Sequence, residues 1–289
     1  MALAVGQRRV QPATPARPRA RRRIGAVGLL GAALLSALLA AALLGPLLWR
    51  ADPFGQDILA RLQGPSSAHP LGTDQYGRDL LARLLSGARW SLAGAALVCG
   101  GTTIVGFAVG ALAGSSGGWL DHGLGRLIEA LMALPGLVTA LALTAVLGPS
   151  FPNLLLALVL TSWPWYARTY RSLVLRERSA GYVEGAVCLG ATRARVVLRH
   201  MLPNIVGPAM VIATANFGAV ILNLAALSFL GLGMQPPTPE WGMMINDARS
   251  FFQRQPWQMI APGLCIALTV LAINLTGDAL RDLLDPRRS

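Results

Sequence analysis

The chain has 289 residues, 54% hydrophobic and only 13% charged, about half the charge of an ordinary soluble domain, which excludes a soluble globular enzyme and points to a bilayer. Its net charge of +12 is carried by arginine alone, because all 25 basic residues are Arg. A chain without Lys has no Walker A phosphate loop, whose Lys reaches the β- and γ-phosphates, and no side-chain amine for a Schiff base.

Residues 1–23 form an Arg-rich tail with seven Arg. Six apolar stretches follow that approach or exceed the roughly 20 residues a spanning helix needs: 24–49, 91–113, 127–147, 153–175, 205–232 and 259–280. The first is too long for a secretion-signal core and "LLGPLLWRADPFG" lacks a small-residue cleavage site, so it is expected to be an uncleaved anchor. "RRRIG" is likewise a poor twin-arginine signal. The fourth stretch is interrupted by Pro164, Arg168 and Arg171.

Residues 50–90 include "HPLGTDQYGRDLLARLLSGARWSL". Gly72-Thr73-Asp74 reads as a turn, with Thr73 or Asp74 able to cap the helix that follows. Leu80, Leu81, Leu84, Leu85 and Ala88 make one apolar face, with Asp79, Arg83 and Arg89 off it. That pattern predicts an amphipathic helix lying in the membrane interface, the simpler alternative being a connector. In the second span Gly106, Gly110 and Gly114 repeat every four residues, a stripe that lets helix backbones approach closely. It predicts a bundle and says nothing of function.

The cytoplasmic segment 182–204 reads "YVEGAVCLGATRARVVLRHMLPN". Val183, Ala186, Val187 and Gly190 share a helical face, Gly190 is a turn, Thr192 begins a second helix and Pro203 ends it before the fifth span. Arg193, Arg195 and Arg199 point outward, and Glu184 stands near the start of the pair. The pattern fits a lever joined to two spans, and fits equally a decoration obeying the positive-inside rule. In the fifth span Asn216 and Asn223, seven apart, share a face and either line a path or hydrogen-bond between helices. The segment 233–257 opens Pro-rich, and its stiffness would hold a short helix at 240–252 on the outer face, as a docking surface for a delivery protein or as a lid.

With the N-terminus in the cytoplasm, eighteen Arg fall on the cytoplasmic side and seven outside, as the positive-inside rule requires. Both termini are then cytoplasmic, and the charge needs no nucleic acid. Glu129 and Asp278 lie near span ends and no acid sits mid-membrane, which argues against an ion-driven carrier, although backbone carbonyls can also bind Na⁺. Cys99, Cys188 and Cys265, like the three His, are scattered without metal-ligand spacing. His69 and His200 flank opposite faces, so no nucleophile–base pair for an intramembrane enzyme assembles.

The 182–204 segment resembles the "EAA" loop of the permease subunits of binding-protein-dependent ABC importers, E-A-A-x-x-x-G followed by I-x-L-P. It matches as Glu184-Gly185-Ala186, Gly190 and Met201-Leu202-Pro203, with Gly185 in place of Ala. Gly there would preserve close packing while lowering helix propensity by about 1 kcal/mol. "HPLGTDQYGRDLLARLLSGARWSL", "LSFLGLGMQPPTPEWGMMINDAR" and "LTGDALRDLLDPR" are similar to the dipeptide/oligopeptide/nickel branch, the last two to its C-type subunit. The resemblance runs from about His69 to Arg287.

The resemblance implies an all-α membrane protein of the type I ABC importer permease fold: an anchor (24–49), an external loop (50–90), a five-helix core (91–280) holding a cytoplasmic loop (176–204) and an external loop (233–257), and a tail (281–289). It also implies a homologous B-type permease as heterodimeric partner, two ATP-binding subunits or one fused ATPase, an extracytoplasmic substrate-binding protein, and a peptide or nickel cargo in the bacterial inner membrane. ATP and Mg are expected on the ATPase, with no cofactor on this chain. Glu184, Gly185, Ala186 and Gly190 are expected to enter the ATPase cleft, and Leu202 and Pro203 to set the exit angle into the fifth span.

Overall fold

A computed structural model describes residues 25–284; the expected Arg-rich tail and the last five residues lie outside the described residues. In chain order come α1 (Ala26–Leu48), α2 (Leu80–Ser116), α3 (Gly118–Met132), α4 (Gly136–Leu147), α5 (Phe151–Arg178) and α6 (Gly181–Cys188). They are followed by α7 (Arg193–Phe229), α8 (Trp241–Ala248) and α9 (Trp257–Leu284). Among the described residues there is no strand, only an isolated bridge between Thr73 and Asp79.

Four of these helices, α1, α2, α7 and α9, are each long and apolar enough to cross a membrane, and the pair α3–α4 makes five if counted as one span. α5 has the length, at 28 residues, but its Arg-bearing second half lowers its apolarity. The expected single span at 127–147 is instead broken: α3 and α4 meet at 81°. Pro135 sits at the break as the residue before α4, where its fixed φ and missing N–H stop a helix from continuing.

The bundle is organised around α2 and α5, which run parallel in close contact, Gly94 facing Phe151 at one end and Gly114 facing Val174 at the other. A Cβ on Gly106 would lie 2.5 Å from the Tyr166 Cβ, one on Gly110 2.5 Å from the Ala167 carbonyl oxygen, and one on Gly114 2.9 Å from Val174. The glycine stripe is therefore the seam between these helices, with backbone against backbone. α1 straps the outside, pressing Gly31 on Leu275 of α9 and Gly45 on Leu85 of α2. Arg89 Nε and Nη2 donate to the carbonyls of Ala42 and Leu43 at 2.8 and 2.9 Å, which supplies the donor that Ala42 O loses because Pro46, four residues on inside α1, has no N–H.

The expected amphipathic helix is not a separate element. It is the first turns of α2, continuous with the span, and Asp79 rather than Thr73 or Asp74 caps it, accepting from Ala82 N at 2.7 Å. Asp79 and Arg83, which lie off the apolar face, are nonetheless 4% and 3% exposed, because the loop 51–79 and the α8 region fold over them. Thr73 and Asp74 serve that loop instead. Thr73 Oγ1 accepts from Gln63 N, and Asp74 accepts from Tyr76 N and Arg78 N.

The short helix expected at 240–252 is present as α8 plus a 3₁₀ turn over Arg249–Phe251. It is wedged into the bundle rather than displayed on it. Glu240, 1% exposed, caps α8 by accepting from Gly242 N and Met243 N at 3.0 and 3.1 Å, and accepts from Ser91 Oγ at 2.8 Å. Trp241, 2% exposed, donates its indole N–H to Leu84 O at 3.1 Å. These bonds fasten α8 to α2, across about 150 positions of sequence.

Candidate functional site

At the end of the bundle opposite α8, α5 runs into the helix pair that sequence reading singled out. α6 closes with the hydrogen bonds Gly190 N to Val187 O and Ala191 N to Ala186 O, both 3.0 Å, the Schellman pattern that puts a left-handed residue after the helix. Gly190 holds φ +80°, a conformation costing other residues roughly 1–2 kcal/mol. Thr192 then accepts from Arg195 N and begins α7.

Pro203 does not end that helix as expected. Val196–Met201 forms a π-helical stretch in which Leu202 N reaches back to Val197 O, and Pro203 follows inside an unbroken α7. The wider turn relieves the clash and the missing bond that a proline brings to an α-helix. Leu202 is half-buried and Pro203 exposed.

The pair rests on the bundle through one apolar cluster. Val183, Val196, Met201 and Ile205 are buried with Val174 of α5, and Ala186 packs beside them. Val187, predicted for the same face, is 57% exposed, and with Leu189 (90%) and Leu198 (66%) it makes an apolar tip. Glu184 lies in the first turn of α6, where the helix dipole favours an acid. Among the described residues its carboxylate has no side-chain partner. Gly185 faces open space, so close packing does not require Gly there. Gly185→Ala is expected to stabilise α6 by about 1 kcal/mol, visible as slower amide exchange over residues 181–188 with transport retained.

Sequence reading missed the fastening at the root of the lever. Tyr182 Oη donates to the Glu177 carboxylate at the end of α5 and accepts from Asn204 Nδ2 at 2.9 Å. Asn204 also donates to His200 O at 3.0 Å. Partial desolvation, reinforced by the hydrogen bond to Glu177, pushes the Tyr182 hydroxyl above its usual range. α5, α6 and α7 are thus joined through one phenol. Nearby, Arg171 Nε donates to Asp121 Oδ1 at 2.5 Å, tying α5 to α3.

The two asparagines of α7 are separated in role. Asn216 Nδ2 donates to Ile212 O of its own helix at 2.9 Å, and among the described residues Asn223 has no hydrogen bond. Neither bonds to another helix. Among the described residues no group of three His, Cys, Asp or Glu could hold a metal ion.

A multi-pass helical membrane protein carrying a rooted helix-pair lever is the class that this geometry defines. Residues 106–289 match the family described as binding-protein-dependent transport system inner membrane component. The chain is 40% identical over 261 residues to the dipeptide transport system permease protein DppC of Alkalihalophilus pseudofirmus, covering 90% of this chain and 86% of that protein. It is 41% identical over 236 residues to the nickel transport system permease protein NikC of Escherichia coli, covering 81% and 85%. With the di/tripeptide transport system permease protein DppC of Pseudomonas aeruginosa it shares 45% over 226 residues, covering 78% and 75%. The chain belongs to the binding-protein-dependent ABC importer permeases, in the C-type group of the dipeptide/oligopeptide/nickel branch. It is a membrane subunit of a multi-pass inner-membrane transporter, and this is not a known catalytic family.

Proposed function

We propose that the chain forms half of the translocation path of an ATP-driven importer of di- or oligopeptides. A homologous B-type permease forms the other half, and an extracytoplasmic binding protein delivers the cargo. ATP and Mg are held by two ATPase subunits or one fused ATPase, and both termini of this chain lie in the cytoplasm. The observation that carries the reading is the lever: an exposed apolar tip on the helix pair that carries Glu184, rooted in α5 and α7. The segment from Glu184 to Gly190, with Gly185 and Ala186, docks into the ATPase, while Leu202 and Pro203 hold its exit into α7. ATP binding draws the levers of the two permeases together, and α5 and α7 carry the movement into the membrane. Asn223, whose amide has no hydrogen bond among the described residues, and Asn216 border the path. α4 buries only Ala140 and Thr144, so its remaining apolar surface suits the second permease.

The cargo reading is supported by relatives whose names specify dipeptides and di/tripeptides; nickel is the second reading because a nickel permease is equally similar. The test is purification of the tagged chain with its partners, followed by ATP hydrolysis in the presence of binding protein and peptides or Ni²⁺. Peptide-stimulated hydrolysis is expected, and Glu184→Ala is expected to abolish the stimulation while the complex still assembles. Ion-gradient-driven uptake by this chain alone would overturn the reading.

A further inference from the structure

At the end of the bundle away from the lever, four elements converge: the loop 51–79, the start of α2, α8 and the start of α9. Asp74, Gln75, Arg83, Asp247 and Gln258 line a cavity of about 10 Å³ there, with Leu80, Met244 and Ala248 completing its lining. That is room for one water. Gln75 is 8% exposed, and among the described residues its Oε1 is buried with no hydrogen-bond partner. Buried acceptors left in that state are rare and call for an unseen partner.

The charges around the cavity show the same gap. Arg83 Nη2 and Asp247 Oδ2 stand 3.9 Å apart, too far for a direct hydrogen bond and a spacing at which a bridging oxygen is expected. The other Arg83 nitrogens are engaged: Nη1 donates to Pro53 O and Pro237 O, both at 3.2 Å, and Nε faces Asp74 Oδ2 at 3.5 Å. Asp74 is held by Arg78 Nε at 2.6 Å, and Gln258 Nε2 is committed to Thr73 O at 3.0 Å. Arg78 Nη2 is a further 3.9 Å neighbour of Asp247.

We propose that this cavity is the binding site of one structural water, which accepts from Arg83 Nη2 and donates to Asp247 Oδ2 and Gln75 Oε1. The chemistry selects water over an ion. A cation would face the guanidinium groups of Arg83 and Arg78, and an anion would face the Gln75 carbonyl and the Asp247 carboxylate. Water alone supplies both donors and an acceptor. Its three bonds join the loop, α2 and α8, so that the cap of the bundle moves as one plate. Gln75 is the residue that recruits it.

The test is a map of the full chain in its native assembly, in lipid, at a resolution that shows ordered water, together with maps of Gln75→Met and Asp247→Asn. A single peak about 2.7–3.2 Å from Gln75 Oε1, Arg83 Nη2 and Asp247 Oδ2 is expected. It should persist in Asp247→Asn, whose amide oxygen still accepts, and vanish in Gln75→Met. A cavity without density between well-resolved side chains overturns the proposal, as does direct contact of Arg83 with Asp247. A peak that survives Gln75→Met and changes height when the buffer ions are exchanged also overturns it.

Discussion

Gly110→Ala is expected to destabilise the whole bundle. The added Cβ would lie 2.5 Å from Ala167 O and 2.9 Å from Arg171 N. Both are backbone atoms of α5 and cannot rotate aside, so α2 and α5 must separate. Overpacking of this kind costs typically about 1–3 kcal/mol. The damage reaches beyond the seam, because α5 carries the Glu177 end of the Tyr182 fastening. Gly100→Ala on the same helix is the control, since nothing lies within 4 Å of a Cβ at Gly100. Thermal melting of the solubilised chain, followed by monodisperse recovery, should fall for Gly110→Ala and hold for Gly100→Ala. Equal melting of the two would show that the seam has room for a methyl group.

Leu189→Asp is expected to disconnect the ATPase while leaving the bundle intact. Leu189 is 90% exposed and sits with Val187 and Leu198 at the tip of the lever, an apolar patch of the sort that marks a protein contact. A buried anchor at such a contact contributes about 2 kcal/mol or more, so ATPase binding should weaken about 30-fold or more. Melting of the isolated chain should not change, because Leu189 packs against almost nothing within it. Leu59, 92% exposed at the opposite end, is the matched control: Leu59→Asp should leave ATPase recovery unaltered. Equal ATPase recovery from both variants would remove the tip from the contact.

The apolar runs and the Gly106–Gly110–Gly114 stripe were legible because each is a local regularity. So were the Gly190 turn and the Thr192 cap, which depend on neighbours within a few positions. The break at Pro135 and the persistence of α7 through Pro203 were harder. Proline signals an interruption in both places, and only the π-helical stretch before Pro203 separates the two outcomes. The cap of the bundle was misread for a different reason. Asp79 and Arg83 look solvent-facing on a helical wheel, and the groups that bury them arrive from far along the chain, as Arg83 with Pro237 shows. The motif spacing picked out Glu184 and Gly190 but not Tyr182, whose role depends on Glu177 and Asn204 converging in space.

The π-helical stretch has one more consequence. α7 runs 37 residues without a break, a rod of about 55 Å that reaches from the lever to the far rim. A π-turn holds one residue more than an α-turn, and one residue of helix is about 100° of rotation. Deleting a residue within Val196–Met201 would leave the rod unbroken, yet swing the lever through that angle relative to Asn216 and Asn223. The aim of the lever is therefore a matter of phase, fixed by how many residues the chain counts before it enters the membrane.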